Sequence, residues 1–516
     1  MWFMKINYFF GNFNYQNRND MSSKFEWSMK IKRKMAMVLV AAMAASLVAG
    51  CGGNGSRSLA GLLDVTFGAG SNDGTPDGIV SLSLGAGNDH AKAVAVQADG
   101  KIVVAGTSTS NANGGTSNIV VERFNTDGSL DATFGAGTVD GSPDGVVTLD
   151  LGNSTDVAVA VKIQTDGKIV VAGTSTAVGN TSNIILARLT SIGELDVTFG
   201  AGNADGTPDG VVAVDLGGVG DDVVNAMGIQ ADGKIVVAGS TTLSGSKNLM
   251  VARVNADGTL DSTFGAGNAD GTPDGVVSLS LGGGDDEANA LAIQSNGQIV
   301  IAGTTVAVDT STNAVVARLN ADGTLDAAFG AGTSDGTPDG VVSASFGTGN
   351  DTANGLAIQT DGKILVVGTV TAADSTTNIA VARFTTEGNL DTSFGSGNSD
   401  GTPDGVVAVS LGSGNDVGTA IALQGDGKIL VTGYTVSGDG STNAAVARML
   451  TDGRLDPEFG QDASDGTPDG VVGISLGAGN DYARDIAVQQ DGKILIVGDR
   501  ENGGSSDIWL ARLLAI

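Results

Sequence analysis

From Leu63 onward, short apolar runs alternate with breaks rich in Gly and Asp. One stretch shows the rule. "GVVAVDLG" (Gly210–Gly217) alternates and is β-branched, and "NAMGIQ" (Asn225–Gln230) alternates small and large side chains. "KIVVAG" (Lys234–Gly239) and "NLMVARVN" (Asn248–Asn255) are aliphatic runs. Runs this short, bounded by turn residues, predict strands and not helices. Gly at this density would cost a helix roughly 1 kcal/mol per occurrence.

The four-strand pattern recurs. "LDVTFG" (Leu63–Gly68) returns with small changes, placing its Phe at 67, 134, 199, 264, 329, 394 and 459, one step of 67 and then five of 65. Seven units at a constant period predict an all-β fold, a seven-bladed β-propeller with four antiparallel strands per blade. A linear β-solenoid is the alternative, but 65 residues is long for one of its coils. Likeness to propellers in general puts the small-residue strand "AKAVAVQ" (Ala91–Gln97) innermost and the strand after "TPDG" outermost. "GIVSLSL" (Gly78–Leu84) is an outer-type strand with no inner strands before it, and the last unit has no outer strand of its own. Residues 78–84 should therefore pair with 507–514 and close the ring, burying two exposed edges.

Two hairpins recur in each unit. "QADGK" (Gln230–Lys234) reads as a two-residue turn with φ > 0 at both Asp and Gly. "NADGTLD" (Asn255–Asp261) has Ile192 or Glu387 before the Gly in other units. A β-branched Ile resists φ > 0, so only the Gly should be left-handed there, in a longer bulged loop.

The motifs "LDxTFG", "AxxIQxDGKIxVAG" and "xxxVARxNxDGxLD" recur together and in order from Leu63 to Ile516. They resemble the bacterial delta-sixty repeat family, propellers of unassigned biochemical role. The resemblance implies the propeller and names no ligand.

"FGAGNADGTPDGVV" occupies Phe199–Val212 and reappears at Phe264–Val277. Its Asp205 and Asp209 recur in every unit, from Asp73 and Asp77 to Asp465 and Asp469. Calcium takes six to eight oxygens. The position where a first carboxylate belongs holds Ala69, Ala136, Ala201, Ala266, Ala331, Ser396 or Gln461. Thr207-Pro208-Asp209-Gly210 instead suits a type I turn, with Pro second and Gly fourth. The loop is thus expected to be a corner with no cofactor, and Ca²⁺ at Asp205 and Asp209 and their equivalents is the alternative.

Charge narrows the partners. The chain carries −30 at pH 7, and −35 without residues 1–50. That excludes nucleic acid, whose phosphates need a basic surface. The N-terminal segment carries an address. Lys30, Lys32, Arg33 and Lys34 precede an apolar run from Met35 to Val48, which ends in Val48-Ala49-Gly50-Cys51. The run is short for a membrane span, needing about 20 residues, and suits a signal peptide. Its end resembles the bacterial lipobox, which implies lipidation of Cys51, export and an outer-membrane anchor. The expected organisation is an extension over 1–28, a signal peptide over 29–50, a tether over 51–58 and the propeller over 59–516.

Arg123, Arg188, Arg253, Arg318, Arg383, Arg448 and Arg512 recur in the fourth strand signal, and an Asp recurs in each "LD". One buried ion pair per blade is expected, since a buried Arg needs a partner. His90 is the only histidine, at a position read as a variable turn, and Cys51 is the only cysteine. No nucleophile–base pair or zinc cluster can be assembled from them, so no enzyme is expected. A ligand site should break the repeat. The last unit departs most, which makes Tyr482, Arg484, Asp485, Arg500, Glu501 and Trp509 the candidate rim. The expected function is a monomeric, lipid-anchored envelope module that binds a protein or glycan. A carboxylate glycan hydrolase and a calcium-dependent adhesin are the alternatives.

Overall fold

The computed structural model describes residues 59–515 with short gaps, most of them in the Gly-Asp loops and in the links that enter each blade. Cys51, the expected signal peptide over 29–50 and Asp205 lie outside the described residues.

Seven four-stranded antiparallel sheets are formed. In blade 1 the strands run from the inside out as Asp89–Val96, Ile102–Thr109, Ser117–Phe124 and Val146–Leu149. Blades 2 to 6 repeat this, with inner strands Thr155–Ile163, Asp222–Ile229, Asp286–Ile293, Asp351–Ile358 and Asn415–Leu423. Blade 7 takes Asn480–Val488, Ile494–Asn502 and Ser505–Leu513 from the C-terminal end. Its outer strand is Ile79–Leu82, which pairs with residues 508–511 in the register Ile79↔Ala511 to Leu82↔Ile508. Each inner strand packs against the next, and that of blade 1 packs against that of blade 7.

The core lies between blade faces. Aliphatic side chains of one sheet meet those of the next, as where Val104, Val120 and Phe124 of blade 1 meet Leu495, Val497 and Leu510 of blade 7. Small side chains suit this crowding near the axis, and the inner strands supply them. Trp509 is fully buried between blades 6 and 7, beside Val446 and Phe459. It is therefore not at a rim, contrary to the sequence expectation: alternation along Ser505–Leu513 turns it into the core.

The recurring polar residues join blades. Arg253 donates from Nε to Asp261 Oδ2 at 2.7 Å, stacks 4.6 Å from the Phe264 ring, and donates from Nη1 to the Ala321 carbonyl of the next blade. Arg512 repeats this at the seam, with Asp64 at 2.9 Å and Phe67 at 4.5 Å. The Asp that opens each inner strand is buried and accepts a backbone N–H from the incoming link, as Asp89 does from Leu84 at 2.7 Å and Asp416 from Leu411 at 2.8 Å. Asn or Asp just before it accepts an N–H of the preceding blade, and Asn88 does so from Ser506 at 3.2 Å across the seam.

The hairpins differ from expectation in one respect. "QADGK" is a three-residue loop, with Gln230 N–H to the Lys234 carbonyl at 2.8 Å and Gly233 N–H to the Gln230 carbonyl at 2.9 Å. Only Gly233 is left-handed, with φ 86°, because the Asp232 carboxylate binds the Lys234 N–H at 3.1 Å and favours the bulged loop. Gly193, after Ile192, is left-handed at φ 92° as expected. The "TPDG" glycine is left-handed in every unit and donates its N–H to the Phe carbonyl of "TFG", as Gly210 does to Phe199 at 2.8 Å.

Candidate functional site

The inner strands line a central channel with a cavity volume of about 370 Å³. Each inner strand carries a β-bulge at the same place, and the bulged residue varies: Lys92, Val159, Asn225, Asn289, Asn354, Thr419 and Arg484. The bulge explains the glycine of "VAG" on the second strand. A Cβ on Gly239 would collide with the Val223 carbonyl oxygen, and one on Gly303 with that of Glu287. Glycine therefore lets the bulge seat against the neighbouring strand and aim its residue at the axis.

On one side of the channel these residues act as latches. Asn225 Nδ2 donates to the Ala288 carbonyl at 2.9 Å, Asn289 Nδ2 to Ala353 at 2.9 Å, Asn354 Nδ2 to Gly418 at 2.8 Å, and Thr419 Oγ1 to Ala483 at 3.0 Å. Each bond joins one blade to the next.

On the other side, where blades 6, 7 and 1 meet, the pattern breaks. Arg484 holds Asp499 through Nε at 2.8 Å and Nη2 at 3.0 Å, and lies 4.7 Å from the Tyr482 ring. Tyr434 meets Tyr482 edge-on at 5.1 Å. His90 Nδ1 lies 3.4 Å from Asp499 Oδ2. Burial alone would raise the Asp499 carboxyl, but His90 and Arg484 hold it below its ordinary value. Asp485 stands where other blades have Ala or Gly, and accepts N–H bonds from Val94 of blade 1 at 2.9 Å and from Ile486 at 2.8 Å. Its carboxyl is pushed up by burial, against the pull of Lys162. Lys92 projects beside Arg484, and burial and that neighbouring charge lower its pKa.

The structure thus brings Tyr482, Arg484 and Asp485 together. Arg500 and Glu501 lie near the blade 7 hairpin, where Glu501 accepts from Asn480 at 2.9 Å. Asp209 is exposed at its corner. Among the described residues no three His, Cys, Asp or Glu gather as a metal site. Sequence reasoning missed His90, Asp499 and Tyr434. His90 lies in the inner strand and not in a turn, because that strand begins at Asp89, earlier than its apolar run suggests. Aligned repeats held a signal for the other two: the residue after "VAG" is Thr107, Thr174, Ser240, Thr304 and Thr369, then Tyr434 and Asp499.

This is a seven-bladed propeller with one asymmetric, charged sector in its channel. Residues 97–134, 164–199, 230–264, 294–329, 359–394, 424–459 and 489–515 match the family model described as a domain of unknown function (DUF5122) beta-propeller. The seven matches recur at the period of the blades, from residue 97 to residue 515. Three solved structures are similar to it. A catalytically inactive virginiamycin B lyase from Staphylococcus aureus with quinupristin is 13% identical, with 84% of this chain and 98% of that one covered and a TM-score of 0.40. A protein of unknown function from Dyadobacter fermentans is 12% identical, covering 85% and 100%, at 0.39. The polysaccharide lyase Uly1 is 9% identical, covering 89% and 97%, at 0.42. No curated protein matches the sequence.

Proposed function

We propose that the protein is a binding module of the bacterial cell envelope, anchored through a lipid on Cys51, whose ligand enters the channel at the junction of blades 6, 7 and 1. The observation that carries this reading is the clustering of departures from the repeat. Tyr434, Tyr482, Arg484, Asp499, His90 and Lys92 all depart from the neighbouring units, and they meet in one sector. Drift in a capping repeat would scatter such changes over its surface. A binding site needs them to converge, with a few polar groups in a concave wall. The anchor rests on the basic segment, apolar run and Cys51 in order.

The test is a glycan array probed with the full-length protein and with Lys92→Gln. A glycan bound by the parent and lost by the variant supports the reading. Equal binding by both moves the ligand elsewhere, turnover of a bound glycan favours the hydrolase, and no signal on any glycan counts against the module.

A further inference from the structure

The channel sector has a chemical polarity that goes beyond its being a site, and this inference rests on the reading above. Lys92 makes no hydrogen bond or ion pair among the described residues, although it is half-buried in the channel wall. A cation withdrawn from water without a partner is costly, and an anion brought to it recovers that cost. Arg484 stands next to it, with Nε and Nη2 committed to Asp499 and Nη1 not. Lys162 and Asp485 also line the channel. The cations Lys92, Lys162 and Arg484 against the carboxylates Asp485 and Asp499 leave one positive charge in this sector, within a strongly acidic protein. One charge suits a monoanion and not a polyphosphate.

The opposite wall offers acceptors. Asn225 and Asn354 spend their amide N–H groups on backbone carbonyls, which forces the orientation of each amide. Their oxygens take no donor among the described residues, and both residues line the channel. Glu287, beside Asn225 at 3.0 Å, adds a carboxylate to that wall. It repels a second negative charge and accepts from hydroxyls. The cavity of about 370 Å³ lies at the low end of the range for small-molecule sites, about 300–1,000 Å³.

From this polarity we infer that the channel takes a polyhydroxy monocarboxylate, an acidic sugar. Its carboxylate lies between Lys92 and Arg484, and its hydroxyls donate to the Asn225 and Asn354 oxygens. Free uronate and the acidic end of a polysaccharide share this chemistry.

Calorimetric titration of the full-length protein tests this with D-glucuronate, its neutral methyl ester, acetate and cellobiouronate, which carries one glucuronate at the end of a neutral sugar. Glucuronate should bind at least about tenfold tighter than the ester or acetate, since only it satisfies both walls. Lys92→Gln should weaken glucuronate by a similar factor without lowering the melting temperature, because it removes a half-buried cation that has no hydrogen-bond or ion-pair partner among the described residues. Tighter binding of cellobiouronate than of glucuronate assigns the site to a chain end, and the reverse to the free sugar. An ester that binds as well as the acid, an unaltered Lys92→Gln, or no heat with either acid overturns the inference. The glycan array does not presuppose an acidic sugar, so the channel reading survives such a failure if a neutral glycan is lost with Lys92→Gln.

Discussion

Glu122 occupies a position that is alanine in every other blade: Ala187, Ala252, Ala317, Ala382, Ala447 and Ala511. It pairs across the sheet with Val104 and Val146, so it shares their face. Val104, Val120 and Phe124 on that face pack against blade 7, which places a carboxyl in the apolar seam that closes the ring. It is almost fully buried, and neither oxygen has a hydrogen-bond partner among the described residues. Burial, with a smaller push from Asp89, raises its pKa to about 8 from an ordinary 4.5. The folded state therefore keeps the proton while the unfolded chain releases it. Stability linked to Glu122 is fully present below pH 4.5, falls as pH rises, and is lost by pH 8. At about 1.4 kcal/mol per unit, the loss reaches about 3 kcal/mol at pH 7 and about 5 kcal/mol above pH 8. Glu122→Gln removes the titration and keeps the shape. Urea unfolding of both proteins from pH 4.5 to 8.5 isolates the effect, because the other carboxylates cancel in the difference. The variant should gain on the parent by about 3 kcal/mol between pH 4.5 and 7. Parallel stability curves over that range would refute the argument.

Other outcomes follow from the same physics. Arg253→Met should cost about 1–3 kcal/mol, because it removes the bonds to Asp261 and to the Ala321 carbonyl of the next blade while Lys234 and Thr263 still hold Asp261; a melt like the parent's would deny Arg253 a structural role. Burial pushes up Asp131, Asp196, Asp261 and Asp391, but bonds from Lys and Thr or Ser and the Arg charge outweigh it and hold them well below the ordinary value. Their contribution is present above about pH 4 and lost in acid; replacing Lys234 with Met should move acid unfolding to higher pH. In a Trp2→Phe, Trp27→Phe background, Trp509 emission should be blue-shifted and should move red when residues 59–85 are deleted, and an unchanged spectrum would speak against closure by the N-terminal strand. Cys51→Ser should release the protein from membranes, and retention after a high-salt wash would remove the lipid anchor from the account.

Much of the fold was legible in the sequence because its signals are local and repeated. Alternation, Gly-bounded runs and the constant period gave the strands, the blade count and the innermost strand. The three-residue form of "QADGK" was not, since Asp-Gly serves two hairpin types and the Asp232 bond to Lys234 decides between them. The site was legible only in part. Tyr482 and Arg484 stood out as oddities of the last unit, but Asp499 and His90 lie in different blades and meet only when the ring closes. Trp509 misled for a related reason: a departure from the repeat can fill a core as well as a rim, and its place in the strand's alternation settles which.

The most direct test of the channel site uses its own reporter. His90 is the only histidine in the chain and sits beside Asp499 in the asymmetric sector, so its imidazole proton signals need no assignment by mutation. The account predicts that glucuronate shifts these signals in the parent, saturating with the calorimetric affinity, and that the shift needs far more ligand in Lys92→Gln. Glucuronate that binds by calorimetry while the His90 signals stay fixed would contradict it.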